Sequence, residues 1–420
     1  MTWLAEIVAI GDELLSGAGT NGNAAWLGRR LGDVDVRVRR GTVVGDDVDD
    51  IVEVIGAAAA RSDLVIVTGG LGPTSDDRTR DALASLLGTG LRPDAASVDR
   101  ITSWYASRGR EPSPEVLRQA EVPEGATALT NDVGTAPGLR AEIDGAVVVC
   151  LPGVPSEMRA IIDGSVIPEL VLRGDGATAV GVLRTALLPE TVVADRIAEV
   201  ARDAYEAGIA VAYLPSVAQV AVRFVAPPRT PSGSEVVAHL VQRAADLMGD
   251  AAAVIGPGSI AEEVVRLARE AGVTVSTAES LTGGLVSAAL TDVGGASSAV
   301  RGGVVVYATE LKAELAGVDE ELLEREGAVH PEVARQLAEG VRRRLGTDYG
   351  VATTGVAGPD PQDGKAPGTV HVAVAGPAGT TVLSPVLWGD RDRIRAATVV
   401  HALELLRRAL RGLPPPALPS

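Results

Sequence analysis

Aromatic residues make up only 2% of this chain, so Ala, Val, Leu and Ile must fill whatever core it builds. It carries one cysteine, Cys150, which excludes an internal disulfide and fits a reducing compartment. That cysteine sits in the apolar run "AVVVCLPG" and reads as a core residue. No apolar run approaches the roughly 20 residues of a membrane-spanning helix, and the opening "MTWLAEIVAIGDE" has no basic stretch leading into a long apolar one. A soluble, cytoplasmic protein with no membrane partner is the expectation. Long basic runs are absent too. The formal net charge of −17 would repel a polyphosphate backbone or an anionic membrane unless a basic face were segregated. Histidine is scarce: His239, His330, His371 and His401 are the full set, each in an apolar or helix-start context.

What is present is globular. Hydrophobic residues make up 46% of 420 positions, more than one ordinary core needs, which suggests roughly two to four domains. The first part alternates β-rich runs with helical periods: "LAEIVAI", "NAAWLGRRLG", "VDVRVRRGTVV", "DDVDDIVEVIGAAAA", "DLVIVTGG". This order predicts a doubly wound α/β domain with a mostly parallel sheet over residues 1–173, ended by the polar break "RGDGAT". Residues 178–252 read strand, helix, two strands, helix, which predicts a small α+β domain with "PPRTPSGS" as an inner loop and "GPGS" at its exit. A second α/β unit follows over 257–412, and the tail "GLPPPALPS" cannot continue its last helix.

Two stretches carry the chemistry. "VTGGLGPTSDDRT", Val67 to Thr79, leaves a strand-like run through three glycines and a proline and meets two carboxylates at a helix start. Ligands sit at such strand ends in open α/β sheets. The glycines let backbone amides converge on an anion, whereas Asp76 and Asp77 would repel one. A phosphate ester complexed to a divalent cation satisfies both, with Asp76 and Asp77 on the metal. The alternative is that an aspartate caps the helix and the glycines only turn the chain. "GDE" (Gly11 to Glu13), "NDVGTAPG" (Asn131 to Gly138) and "LPGVPSEM", with Glu157 near a helix start, are further polar turns of the same region.

The second stretch is "STAESLTGG", Ser276 to Gly284, again a strand before a glycine-rich helix start. Ser280 would stand at the turn, with the amides of Thr282, Gly283 and Gly284 as an oxyanion hole. A serine nucleophile needs a base. "VVVYATELK" offers Tyr307 and Lys312, and a lysine desolvated in a pocket can lose its proton near neutral pH. The structural alternatives are Ser280 as an N-cap, Lys312 as a solvated helix residue and Tyr307 as a core aromatic with its hydroxyl at the rim.

Taken together, "GDELLSG", "TNGNAAWL", "VGDD", "TGGLGPTSDD", "NDVGTAPG" and "LPGVPSEM" resemble the N-terminal domain of CinA-type proteins, which has a molybdopterin-binding fold. The middle segment resembles that family's KH-type domain. "TAES-TGG", Tyr307 with Lys312, "TGVAGPD", "PGTV" and "GDRDRIR" look like the C-terminal CinA domain. The resemblance implies metal-dependent cleavage of ADP-ribose to AMP and ribose 5-phosphate by the first domain. Asp12, Gly69, Gly70, Gly72, Thr74, Asn131, Gly134 and Thr135 would be its substrate contacts. It implies deamidation of nicotinamide mononucleotide, without a cofactor, by the last. There Ser280 is the nucleophile, Lys312 the base and Tyr307 a helper. Thr354, Gly355 and Gly358 would line the ligand site, with Arg391 or Arg393 on the phosphate. The family also suggests a homodimer. Leu281 departs from the cysteine, and His330 from the serine, usual at those places. The rival expectation is a nucleotide- or pterin-binding protein without catalysis. Nucleic acid as a partner is weakened by the acidic charge and the lack of a "GxxG" loop in the middle segment.

Overall fold

The computed structural model describes residues 3–34, 36–173, 179–227 and 230–417, leaving aside the side chains of Leu172 and Arg173. The expected break after Arg173, the start of the middle domain at Thr178 and Pro228–Arg229 of the inner loop lie outside the described residues. The chain forms two compact units, Met1–Ala179 with Pro227–Gly233, and Val180–Ala226 with Ser234–Ser420.

The strands of the first unit are β1 (Trp3–Ile10), β2 (Val36–Val44), β3 (Leu64–Thr68), β4 (Leu91–Pro93), β5 (Glu121–Pro123), β6 (Thr127–Leu129), β7 (Gly138–Ile143) and β8 (Ala146–Leu151). Six make one sheet in the order β2-β1-β3-β8-β7-β6. β2, β1, β3 and β8 run parallel, while β7 and β6 add an antiparallel edge. β4 and β5 pair in a separate ribbon. Side chains alternate between two cores: Val8, Val65, Val67, Val148 and Cys150 enter one, Ile7, Leu64, Ile66, Val147 and Val149 the other. A parallel sheet covered on both faces explains why these strands read as unbroken apolar runs. Cys150 is fully buried, and burial pushes its thiol up to about 12, as a core residue requires. Helix starts are fixed by side chains the sequence supplies: Asp47 accepts from the amides of Asp49 and Asp50, and Asp94 from that of Ser97.

In the second unit, β9 (Ala179–Ala186), β10 (Ala210–Ser216), β11 (Gln219–Ala226) and β12 (Ala252–Ile255) form a small sheet in the order β10-β11-β9-β12. The single helix expected after β9 is two, Glu190–Arg196 and Ala198–Glu206, parted where Ile197 leaves helical geometry (φ −104, ψ 15). β12 runs across the expected boundary at residue 252, and Ala186, Ala253 and Val254 share a core with the α/β part that follows. That part holds β13 (Val275–Glu279), β14 (Val300–Val305), β15 (Tyr349–Gly355), β16 (Val370–Gly376) and β17 (Gly379–Leu383), ordered β14-β13-β15-β16-β17. β14, β13 and β15 are parallel; β16 and β17 are antiparallel. Among the described residues no helix is long and apolar enough to cross a membrane.

Candidate active sites

The parallel strands of the first sheet end around a cavity of about 700 Å3. Gly11 and Glu13 follow β1, Asp46 follows β2, Gly69, Gly70 and Gly72 follow β3, and Pro152 and Gly153 follow β8. The loop after β3 demands glycine. A Cβ on Gly69 (φ +112) would lie 2.3 Å from the carbonyl oxygen of Ile10, and one on Gly70 (φ +66) 2.3 Å from Oγ1 of Thr79. Buried Arg80 fixes the loop by donating to the carbonyls of Leu71 (2.7 Å) and Gly72 (2.6 Å).

Asp77 does not cap the helix that follows it. Its Oδ1 accepts from the amide of Gly72 (2.7 Å), and its Oδ2 from the amide (2.8 Å) and hydroxyl (2.5 Å) of Thr74. The helix Thr79–Leu87 starts at Arg78 with no side-chain cap. Asp77 is thus a clamp that closes the glycine loop from the cavity wall. Asp76 is exposed on the cavity wall, and the Thr74 hydroxyl beside it holds its carboxyl below the ordinary value. Asp46 is shifted upward, first by burial and then by its neighbours Asp12, Glu13 and Asp76. Among the described residues no group of three or more metal-binding side chains is assembled. Asp76 and Asp77 both line the cavity, as a pair of carboxylates rather than a larger ligand cluster.

Of the other expected contacts, Gly69, Gly70, Gly72 and Thr135 wall the cavity. Asp12, Thr74, Asn131 and Gly134 instead hold its loops together. Asp12 exchanges backbone-to-carboxylate bonds with Asp46, and Oδ1 of Asn131 accepts from the amide of Gly134 (3.0 Å). The Asn131 amide also donates to Glu157 (2.6 Å), whose carboxyl burial pushes upward. The wall includes residues that sequence reasoning passed over: Asn23, Tyr105, Gln119 and Arg159. Asn23 ties Gly153 (2.8 Å) to Thr68 (3.2 Å), and Arg159 stands 5.4 Å from the Trp26 ring. Arg159 follows Glu157 by two residues, so the "LPGVPSEM" turn was the available signal.

A smaller cavity, about 120 Å3, lies at the matching strand ends of the second unit. Ser280 follows β13, Tyr307 follows β14 and Gly355 ends β15; with Lys312, Gly358 and Arg391 they wall it. Leu281 belongs to the same wall while being buried in the core. Lys312, on the helix Thr309–Ala316, is 1% exposed, so it is no solvated helix residue. Its Nζ donates to the carbonyls of Val306 (2.8 Å), Tyr307 (3.3 Å) and Ala308 (3.5 Å). Burial lowers its pKa to about 8, against the opposing pull of Glu310 and Asp363. Tyr307 is 59% exposed rather than a core aromatic, and its hydroxyl accepts from Arg391 (2.9 Å). Arg391 also donates to the Gly358 carbonyl (2.8 Å). None of the four histidines is among the lining residues.

Several expected members stand outside this wall. Thr354 is buried and donates to the Ala328 carbonyl (2.7 Å); Thr282 is buried against Thr353 (2.8 Å). Arg393 is exposed and away from the lining. The oxyanion hole is corrected most. The Gly283 amide donates to the Ser280 carbonyl (3.0 Å), and the Gly284 amide to Glu279 (3.0 Å). Glu279, fully inside, also accepts from the amides of Val286 (2.9 Å) and Ser287 (2.8 Å), and so it, not Ser280, caps this helix start. His330 takes over the capping duty at its position, its Nδ1 accepting from the Glu332 amide (3.2 Å).

Residues 258–410 match the family model described as "CinA C-terminal domain", and residues 6–171 the one described as "Probable molybdopterin binding domain". These two matches leave the expected KH-type segment outside them. A CinA-like protein of Frankia casuarinae is 49% identical over 419 residues, covering 98% of this chain and 97% of that one. A CinA-like protein of Anaeromyxobacter dehalogenans is 39% identical over 407 residues, covering 97% and 99%. The crystal structure of a CinA protein of unknown function from Thermoplasma acidophilum is 38% identical, covering 40% of this chain and 98% of its own, at a TM-score of 0.38.

Proposed function

The chain belongs to the CinA family, and on that premise we propose that its second unit hydrolyses the carboxamide of nicotinamide mononucleotide to nicotinic acid mononucleotide and ammonia. The observation that carries this reading is the buried Lys312, with a pKa near 8, on the same small cavity as Ser280. At neutral pH a useful fraction of such a lysine is a neutral amine, which takes the proton of Ser280 Oγ as that oxygen attacks the amide carbon. The ammonium that results stays held by the carbonyls of residues 306–308. It returns its proton to the departing nitrogen, so that ammonia leaves and an ester remains on Ser280. Water, deprotonated by the same amine, then cleaves the ester and restores the serine. Tyr307, tethered to Arg391, orients the incoming group, and Arg391 is the cation available to its phosphate. Arg393 has no part in this reading.

The first unit is read as the nucleotide-cleaving half, acting on ADP-ribose to give AMP and ribose 5-phosphate. In support stand the glycine loop after β3 and the cationic Arg159 in a cavity of about 700 Å3. No step is assigned to a metal there. The test of the main reading is direct: the full chain is incubated with nicotinamide mononucleotide, and ammonia and the acid product are measured together. Equimolar release that disappears in Ser280→Ala supports it. Ammonia release at the parental rate by that folded variant contradicts it.

A further inference from the structure

Among the described residues two buried side-chain polar atoms have no partner, Nη1 of Arg407 and Oε1 of Gln119, and only the second belongs to a cavity wall. Gln119 lies in the short turn of helix Arg118–Ala120 and is 4% exposed, and its Oε1 accepts no hydrogen bond. Buried amide oxygens are seldom left so, because each has given up its hydration. The same side chain is part of the wall of the 700 Å3 cavity, together with Tyr105 and Val116. All three come from the stretch between β4 and β5, and they bring to the wall a ring, an aliphatic group and one uncharged amide. Arg159 offers positive charge instead, and the Gly69–Asp77 loop those amides that lie outside the Asp77 clamp. The wall is thus divided between groups that suit a phosphate and groups that suit the flat, partly apolar body of a base.

The structure assigns to Gln119 the reading of the amino edge of an adenine base. This rests on the reading of the cavity as a nucleotide site. The terminal torsion of glutamine is broad, so a turn of the amide brings Oε1 to the cavity face without moving the backbone. There Oε1 accepts from the exocyclic amine, and the amide's own N–H donates to N7, a pairing that glutamine makes with adenine. Hypoxanthine carries a carbonyl where adenine carries the amine, so its N7 edge presents two acceptors, and whichever way the amide is turned Oε1 faces one of them. A ribose hydroxyl at Oε1 would be indifferent to that change.

Calorimetric titration of the full chain with AMP and with IMP tests the assignment. AMP is expected to bind about tenfold more tightly, or better, as a paired amide contact provides. In Gln119→Leu both nucleotides should bind alike, at the parental level for IMP. That variant should melt no lower than the parent, since an unpaired buried oxygen is replaced by an apolar group. Equal binding of AMP and IMP by the parent, or a preference for AMP that survives in Gln119→Leu, overturns the assignment. Because only binding is measured, failure to cleave ADP-ribose leaves the result intact. Cleavage of ADP-ribose with equal AMP and IMP binding would sink the base assignment alone, and no binding of either would sink both.

Discussion

Replacing Lys312 by methionine separates its chemistry from its burial. The side chain is 1% exposed, and burial lowers its pKa from the ordinary 10.5 to about 8. Unfolding returns it to the ordinary value, so between pH 8 and 10.5 the unfolded chain binds more protons than the folded one. Stability therefore rises with pH through that window and levels off above it. With those two values the parent gains about 2 kcal/mol between pH 7 and pH 9.5 from this one group. Methionine does not titrate, so the variant lacks this gain. At pH 7 it also sheds the cost of holding an ammonium in the interior, about 3 kcal/mol. Against that it gives up the bonds to the carbonyls of Val306, Tyr307 and Ala308, about 1–2 kcal/mol. The expected net is a variant about 1–2 kcal/mol more stable than the parent at pH 7, with the advantage gone by pH 9.5, and with deamidation lower by a factor of about 1,000 or more. Scanning calorimetry at the two pH values, following the transition of the second unit, reads the first part; ammonia release reads the second. A variant clearly less stable than the parent at pH 7, with an unchanged dependence on pH, would refute the reasoning. Lys312 would then be an ordinary ammonium that packs and pairs, and no base.

Three further outcomes follow from the same geometry. Glu279→Gln keeps an acceptor but turns an N–H2 group toward amides that also donate, and should cost about 2–3 kcal/mol in the same calorimetric transition; a change below about 1 kcal/mol would remove Glu279 as the cap. Asp77→Asn should impair ADP-ribose cleavage through the Gly72–Asp77 loop, so an excess of divalent cation should not restore it; restoration would return Asp77 to a metal. Arg391→Ala should raise KM for nicotinamide mononucleotide about tenfold or more while nicotinamide riboside, which lacks the phosphate, is turned over no worse than by the parent. An unchanged KM for the mononucleotide would take the phosphate away from Arg391.

The fold was legible where burial imposes a regular pattern. Strands covered on both faces read as apolar runs, which is why β1, β3 and β8 stood out around Ile7, Ile66 and Val149. The site was legible at strand ends and much less so within loops. Asp77 and Gly72 are five residues apart, and only the closed loop shows that the carboxylate is spent on the Gly72 amide. Glu279 was hidden for a similar reason, since its partners at 284–287 lie beyond the turn that it organises. The choice between Arg391 and Arg393 could have been narrowed earlier. Arg391 is the first residue of its helix, and two residues further on a side chain is turned about 200° around the axis, away from the cavity. Gln119 gave no signal at all, because a lone glutamine in an irregular turn belongs to no periodic pattern.

The central claim is that Ser280 carries the acyl group, with Lys312 as its base. Rapid quenching of the full chain with nicotinamide mononucleotide, followed by mass spectrometry of the peptide that contains Ser280, tests it most directly. The account predicts a transient ester whose mass is that of nicotinic acid mononucleotide less water, located on Ser280, formed faster as the pH rises through about 8 and absent from Lys312→Met. Steady ammonia release with no adduct on Ser280 at any quench time, from a chain in which Ser280→Ala still turns over, would contradict it.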